Sequence, residues 1–512
     1  MNPMIMPFSN VPLLPFENFR NEILNSVNKG ARIGSFFGIE LENTSSQPIR
    51  IIAVLLDDQH GTIEVLSANP GESYPALTPE CPQAHMFERE LAEQYGVIPD
   101  GHPWLRPARF HPSFRKNTDK AVQQKTDLIG VADFFRIDGE EIHEVAVGPV
   151  HAGVIEPGHF RFQCHGEKVF HLEISLGYQH RGIEKALMGG PGKRSIYQIE
   201  TLAGDTTIGH TIAYCQIIES LKRLNVPERG HALRAVALEL ERFANHTGDL
   251  GALAGDVGFL PTSAFCGRIR GDFLNMTALL CGSRLGRGFV RPGGTAFDID
   301  TVERLEKMSE SLKKAEKDTN VAIQLIWDSS AIMSRFETTG TVKHAAGISL
   351  GLVGPAARAC GNEIDVRQNF PFGQYLSTKI LPGYLSKSGI GIGDVAARAY
   401  IRGLEIQNSF IFLKELLPKL PSGNTLSSDC KGPEANQQLA ANSLVVSLVE
   451  GWRGEICHTA ITDSRGQFIR YKVVDPSFHN WIGLGLAMRN QAISDFPLCN
   501  KSFNLSYCGF DL

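Results

Sequence analysis

ELERFANHTGDLGALAGDVGFLP, residues 239–261, is the stretch from which the fold is read. With the residues before it, it places Leu233, Val236, Leu240, Phe243 and Ala244 at intervals of three and four, which marks one buried stripe on a helix. Glu239, Glu241 and Arg242 lie off that stripe. The pattern predicts a helix over Glu228–Gly248, and similar runs predict helices over Gly209–Leu224 and Asp300–Phe336. Helices of this length side by side imply a bundle. Upstream, Arg32–Ala68 reads as three short strands separated by polar turns. HMFERELAEQYGV, His85–Val97, reads as a short amphipathic helix with Met86, Leu91 and Tyr95 on its apolar side, ended by Gly96. Residues 108–130 are basic, polar and weakly periodic, which predicts a linker. A strand-like segment, EIHEVAVGPVHAG, follows it. Near the end, EICHTAITDSRGQFIRYKVVDPSF alternates like a hairpin turning at Ser464-Arg465-Gly466. The expected class is α+β: a small α+β domain over 1–125, then a large, mainly helical domain over 126–512 with flanking β structure.

Size and composition agree with that division. A chain of 512 residues exceeds what one hydrophobic core usually organises. Its 42% hydrophobic and 21% charged residues are those of a folded globular protein. A formal net charge of −5 excludes the basic excess expected of a nucleic-acid binder. No window is long and apolar enough to span a bilayer, and MNPMIMPFSNVPLLPF lacks the basic start of a secretory signal, so a cytoplasmic location is expected. The ten cysteines are scattered with no Cys-x-x-Cys pair, which argues against an iron-sulfur or zinc loop and for reduced, buried thiols. No Gly-rich dinucleotide fingerprint follows a strand.

Several ordered blocks carry a resemblance. ERELAEQYGVIPDGHPWLR, Glu88–Arg106, resembles the signature of the 30-kDa subunit of complex I. The blocks GPVH (148–151), EPGHFRF (156–162), GYQHRGIEK (177–185), residues 239–261, RPGG (291–294), GPAARACGNEIDVRQNFPF (354–372), VEGWRGE (449–455) and VDPSF (474–478) resemble the 49-kDa subunit of complex I and the large subunits of energy-converting [NiFe] hydrogenases. The fusion of both modules is similar to formate hydrogenlyase-type proteins. The resemblance implies a large subunit of a membrane-associated, multi-subunit oxidoreductase, peripheral on the cytoplasmic face of the inner membrane. Its implied partners are a small iron-sulfur subunit that carries the clusters and antiporter-like membrane subunits.

The hydrogenase relatives hold nickel and iron on four thiolates, in Arg-x-Cys-Gly-x-Cys and Asp-Pro-Cys-x-x-Cys loops. Here those positions fall on Ala203, Thr206, Ser477 and Asn480. A methyl, two hydroxyls and an amide cannot replace bridging thiolates, so no metal and no resident cofactor are expected on this chain. Without nickel insertion, the C-terminal tail is expected to stay attached. The complex I branch binds a quinone headgroup in the corresponding cavity; the resemblance keeps its Asp as Asp256, puts Gly204 at the Tyr position and leaves the His position near Pro157. An Arg of the relatives is Thr201 here. His159, His210 and Asp256 are the candidate site residues, in an expected cavity that also includes His151, 203–210 and 475–480. The scaffold with both chemistries erased resembles energy-converting hydrogenase-related complexes. Two alternatives stay open: a quinone reductase using those replacement residues, and a redox-inert scaffold in an ion-translocating complex. Three polar features are read from residue types. HRGIEK is either an exposed ion-paired face or an interface wall, Gly293-Gly294 a turn, and Arg358, Asp365 and Arg367 a bracing ion-pair network.

Overall fold

The computed structural model describes residues 2–40, 49–115, 133–153, 155–378, 380, 383, 385, 393–430 and 438–512. The first unit is a four-stranded sheet in the order Leu13–Leu14, Thr62–Ala68, Ile49–Asp57, Arg32–Glu40, with helices Phe16–Asn28 and His85–Tyr95 beside it. The three longer strands are those expected over Arg32–Ala68. Arg32–Glu40 is buried along nearly all its length, because the strand Phe468–Val474 of the second unit packs against it.

The helix His85–Tyr95 ends as predicted at Gly96, whose φ of +69° suits glycine. Its charge does not form a solvent face. Glu88, Glu90 and Glu93 are buried, because each has a fixed partner. Glu88 accepts from the backbone N–H groups of Leu77 and Thr78 at 2.8 and 3.0 Å. Glu90 pairs with Arg109 and Lys472, and Glu93 accepts from the N–H of Arg109. The expected linker is therefore corrected over Ala108–Arg115: Arg109 is 2% exposed and its Nε donates to the Phe510 carbonyl at 2.7 Å. Residues 116–132 of that segment lie outside the described residues.

The second unit begins with a three-stranded sheet, Ile142–Val147, His159–His165 and Lys168–Ser175, all antiparallel. Helices Thr207–Lys222, Glu228–Asp256, Leu260–Cys281, Val302–Trp327 and Val395–Leu416 form the expected bundle. The helix predicted to stop at Gly248 runs on to Asp256. Its glycines are contact points rather than stops. A Cβ on Gly251 would lie 2.6 Å from the Cβ of Cys266, and one on Gly248 would lie 2.9 Å from the Arg270 side chain. Gly248, Gly251 and Gly255 thus let the helix Leu260–Cys281 approach closely. The helix expected over Asp300–Phe336 is two, Val302–Trp327 and Ser330–Phe336, since the Ser329 hydroxyl caps a new start by accepting from the N–H of Ile332.

A second four-stranded sheet has the order Met4–Pro7, Ser443–Gly451, Gly454–Thr462, Phe468–Val474. The last two strands are the predicted hairpin, and the Asp463 carboxylate accepts from the N–H groups of Arg465 and Gln467 at its turn, both at 2.8 Å. Met4–Pro7 pairs with the second unit's sheet, Met4 opposite Val446, and not with the sheet of residues 13–68 that follows it in sequence. HRGIEK is an interface wall: buried Glu184 bridges Lys472 at 2.9 Å and Arg470 at 3.0 Å. Gly293-Gly294 is the expected turn, between the short strands Val290–Arg291 and Gly294–Thr295.

Two of the glycine-bearing blocks meet backbone to backbone. Gly454 has φ +131° and a Cβ there would sit 2.7 Å from the Cα of Gly354, itself at φ +63°. Gly454→Ala is therefore expected to destabilise the protein by about 1–3 kcal/mol through forced displacement of the neighbouring backbone. A thermal melt that matches the parent protein would contradict this.

Candidate functional site

The two loops that carry the thiolate positions do come together, at the start of the helix Thr207–Lys222 and the start of the helix Pro476–Ala487. All four positions are buried and closed onto protein partners. Ala203 is fully buried. The Thr206 hydroxyl accepts from the Trp452 indole at 3.1 Å and donates to Asp205 at 3.1 Å. The Ser477 hydroxyl accepts from the N–H of Ser506 at 2.8 Å. Asn480 bonds both backbone groups of Val353, at 3.0 and 3.1 Å. Hydroxyls and an amide committed in this way leave no soft donor set for nickel or iron, so the residues present do not fit a [NiFe] centre. Among the described residues no group of three or more His, Cys, Asp or Glu side chains could hold a metal ion.

The loops are braced by charge. Arg453 grips Asp205 with two parallel bonds of 2.7 and 2.8 Å, the fork geometry that suits a carboxylate. The Asp205 side chain keeps 35% of its exposure, so the pair opens to solvent on that side. Beside this mouth, Arg181 donates to the carbonyls of Thr201 and Leu202, both at 2.7 Å. A guanidinium thus covers the backbone at Thr201, where the relatives carry an arginine side chain. Cys508 lies next to it, with its N–H bonded to Glu156 at 3.0 Å and its carbonyl to Arg181 at 3.2 Å.

Behind the mouth runs a buried chain of four side chains. Asp475 faces His210 Nε2 at 3.0 Å, His210 Nδ1 faces His458 Nε2 at 3.1 Å, and His458 Nδ1 faces the Tyr471 hydroxyl at 2.9 Å. Each is at most 1% exposed. Burial works to raise the Asp475 carboxyl, but its bond to His210 and the nearby Arg453 outweigh burial and hold it below the usual carboxylate range. Burial, with His210 beside it, keeps His458 uncharged at neutral pH. An ionised Asp475 can only accept, so His210 donates to it from Nε2.

The three candidate residues are not gathered in one place. His210 is in this chain with both ring nitrogens engaged. His159 starts its strand half-buried, with Nδ1 3.3 Å from the Gly148 carbonyl and its ring against Phe134. Asp256 ends its helix, exposed, with Lys501 as its charged neighbour. Among the described residues no hydrogen bond, ion pair or ring contact links His159 or Asp256 to His210. His151 Nε2 donates to the Gly158 carbonyl, 2.8 Å away. Sequence reasoning missed Arg453, His458 and Tyr471. The first stands in the quoted VEGWRGE block and was a findable signal; the other two read as ordinary strand residues.

A second polar cluster lies deeper in the bundle. Arg358, Asp365 and Arg367 form the expected network, and Glu239, Arg242, Glu405 and Glu450 join it. All seven are 2% exposed or less. Glu239 and Arg242 are thus corrected from an exposed helix face to the core, because Arg367 and Glu405 neutralise them there.

Residues 256–511 match the family "Respiratory-chain NADH dehydrogenase, 49 Kd subunit", and residues 33–123 match its 30 Kd counterpart. The chain belongs to the 49-kDa subunit family, with a 30-kDa-type module fused ahead of it. It is similar to an NADH-quinone oxidoreductase subunit of Anaeromyxobacter dehalogenans, 30% identical over 65% of this chain and 86% of that one. It is also similar to formate hydrogenlyase subunit 5 of Escherichia coli, 26% identical over 86% of this chain and 77% of the relative. In fold it resembles a chain from the structure of the membrane-bound sulfane sulfur reductase, an archaeal respiratory membrane complex, with a TM-score of 0.67, 20% identity, and coverage of 74% of this chain and 100% of that one. No helix among the described residues is long and apolar enough to cross a membrane.

Proposed function

We propose that this chain is the large subunit of a membrane-associated, multi-subunit oxidoreductase that works without a nickel-iron centre. The observation that carries the reading is the closure of Ala203, Thr206, Ser477 and Asn480 onto protein partners within an otherwise retained family scaffold. A small iron-sulfur subunit supplies the electrons, and antiporter-like membrane subunits anchor the assembly on the cytoplasmic face of the membrane. The reacting molecule approaches at the Asp205–Arg453 mouth. His210 acts there through Asp475 rather than by touching the substrate, with His458 and Tyr471 holding its ring in place. His159 and Asp256 take part only as outlying positions on the surrounding elements.

Affinity purification of the tagged chain from solubilised membranes, followed by metal analysis and identification of the co-purifying subunits, tests this. The expected result is an iron-rich, nickel-free complex that contains an iron-sulfur subunit and antiporter-like membrane subunits. Stoichiometric nickel, or recovery of the chain alone, would sink the proposal.

A further inference from the structure

The GHPWLRP loop, residues 101–107, has no part in the site described above, yet it forms one wall of a cavity of about 330 Å³ between the two units. A volume of that order accommodates a small organic ligand. Its other walls come from the strand Lys168–Ser175 and from one side of the helix Pro476–Ala487.

The lining is mainly aromatic and aliphatic. Trp104 and Phe135 pack edge to face with centroids 5.6 Å apart, and His171 lies 4.6 Å from Phe135. Trp481 and Phe510 also line it. A lining rich in flat rings suits a flat guest.

The charge on the lining is unbalanced. Arg89 and Arg489 face one carboxylate, Glu173, which already accepts from the N–H of Phe135 at 2.8 Å. Arg89 has no carboxylate within ion-pair distance among the described residues; its guanidinium is held by the carbonyls of Arg106 and Pro107, both at 2.8 Å. Burial depresses it to about 10, as expected of a cation whose charge is not fully compensated. Burial also keeps His85 and His171 uncharged at neutral pH, so neither changes the balance. The lining groups themselves carry one excess positive charge, with Glu93 acting on Arg89 from outside the lining.

We infer that this cavity is a binding site for a small, flat aromatic molecule bearing one negative charge, with the rings against Trp104 and Trp481 and the anionic group toward Arg89 and Arg489. The site is separate from the Asp205–Arg453 mouth and does not depend on the function proposed above. The two share the helix Pro476–Ala487, which supplies Ser477 and Asn480 to the closed loops and Trp481 and Gly485 to the cavity, and the short helix Tyr507–Asp511, which puts Cys508 beside the mouth and Phe510 in the cavity.

Equilibrium dialysis of the purified full chain against 2-naphthoate, with the neutral 2-naphthylmethanol as its shape control, tests the inference. Saturable naphthoate binding at least tenfold tighter than the alcohol is expected. Gly485→Leu should abolish it by filling the cavity; a Cβ at Gly485 meets only the Leu172 carbonyl, at an ordinary 3.4 Å, so the helix has room for the change. Ile482→Phe, which fills the same space from the next turn, serves if the first variant melts early. Arg489→Met should reduce the preference for the anion several-fold. Equal binding of acid and alcohol, undiminished binding in both filled variants, or no saturation in the millimolar range would each overturn the assignment.

Discussion

Replacing Glu405 with alanine is expected to cost the protein about 3–5 kcal/mol of stability, the loss typical of a buried ion cluster deprived of one partner. One oxygen of Glu405 takes Arg358 through Nε at 3.1 Å and Nη2 at 2.5 Å. The other takes Arg242 at 3.1 Å and His246 at 2.9 Å. Alanine would leave Arg358, Arg242 and His246 each short of a hydrogen-bond partner in the core, out of reach of bulk solvent. Arg268→Ala is the control. Its pairs with Asp272 and Asp318 are exposed, and such pairs contribute at most about 1 kcal/mol. Thermal and denaturant midpoints of the two variants should separate widely; equal shifts would show that the cluster is not a source of stability.

The same cluster predicts a dependence on pH. Four carboxylates, Glu239, Asp365, Glu405 and Glu450, meet three guanidiniums, Arg242, Arg358 and Arg367. Burial depresses His246, so it does not supply a fourth cation at neutral pH. One carboxylate must therefore keep its proton. Burial, with Asp365 nearby, pushes Glu450 up from 4.5 to about 7. Between those values the folded chain holds a proton that the unfolded chain has released, so stability falls as pH rises through that window and levels off above it. Burial pushes Glu241 to about 8, which adds a loss of the same sign at slightly higher pH. Together they amount to a few kcal/mol between about pH 5 and pH 8. The buried histidines, depressed by burial, act with the opposite sign at the lower end of that range, so the test is a difference: the melting temperature of Glu450→Gln, which cannot ionise, should gain on that of the parent protein as pH rises. Identical slopes would remove Glu450 from the explanation.

How much of this was legible beforehand depended on the range of the interaction. Periodicity in residues 228–248 identified the helix, because its cause lies within the helix itself. The end of that helix was misread, since Gly248 serves as a stop in isolation and as a contact surface once Cys266 and Arg270 lie against it. Glu239 and Arg242 looked like solvent residues because their partners Arg367 and Glu405 are more than a hundred positions away. That positions 203, 206, 477 and 480 are not cysteine needed only residue types, and His210 and Asp475 bring their two loops into contact. The contacts around His210 did not follow from residue types. His458 and Tyr471 reach it only when two distant strands pair.

The edge strand Met4–Pro7 has a further consequence. It pairs with residues 443–446 of the last sheet, and Asn2 adds bonds to the backbone of Leu448 at 2.8 and 3.0 Å. Residues 4–7 can find their neighbour only after residues 443–446, more than four hundred positions later, have been synthesised. A chain nicked within residues 116–132 would remain stapled, since the shorter fragment would still contribute an outer strand to the sheet of the longer one.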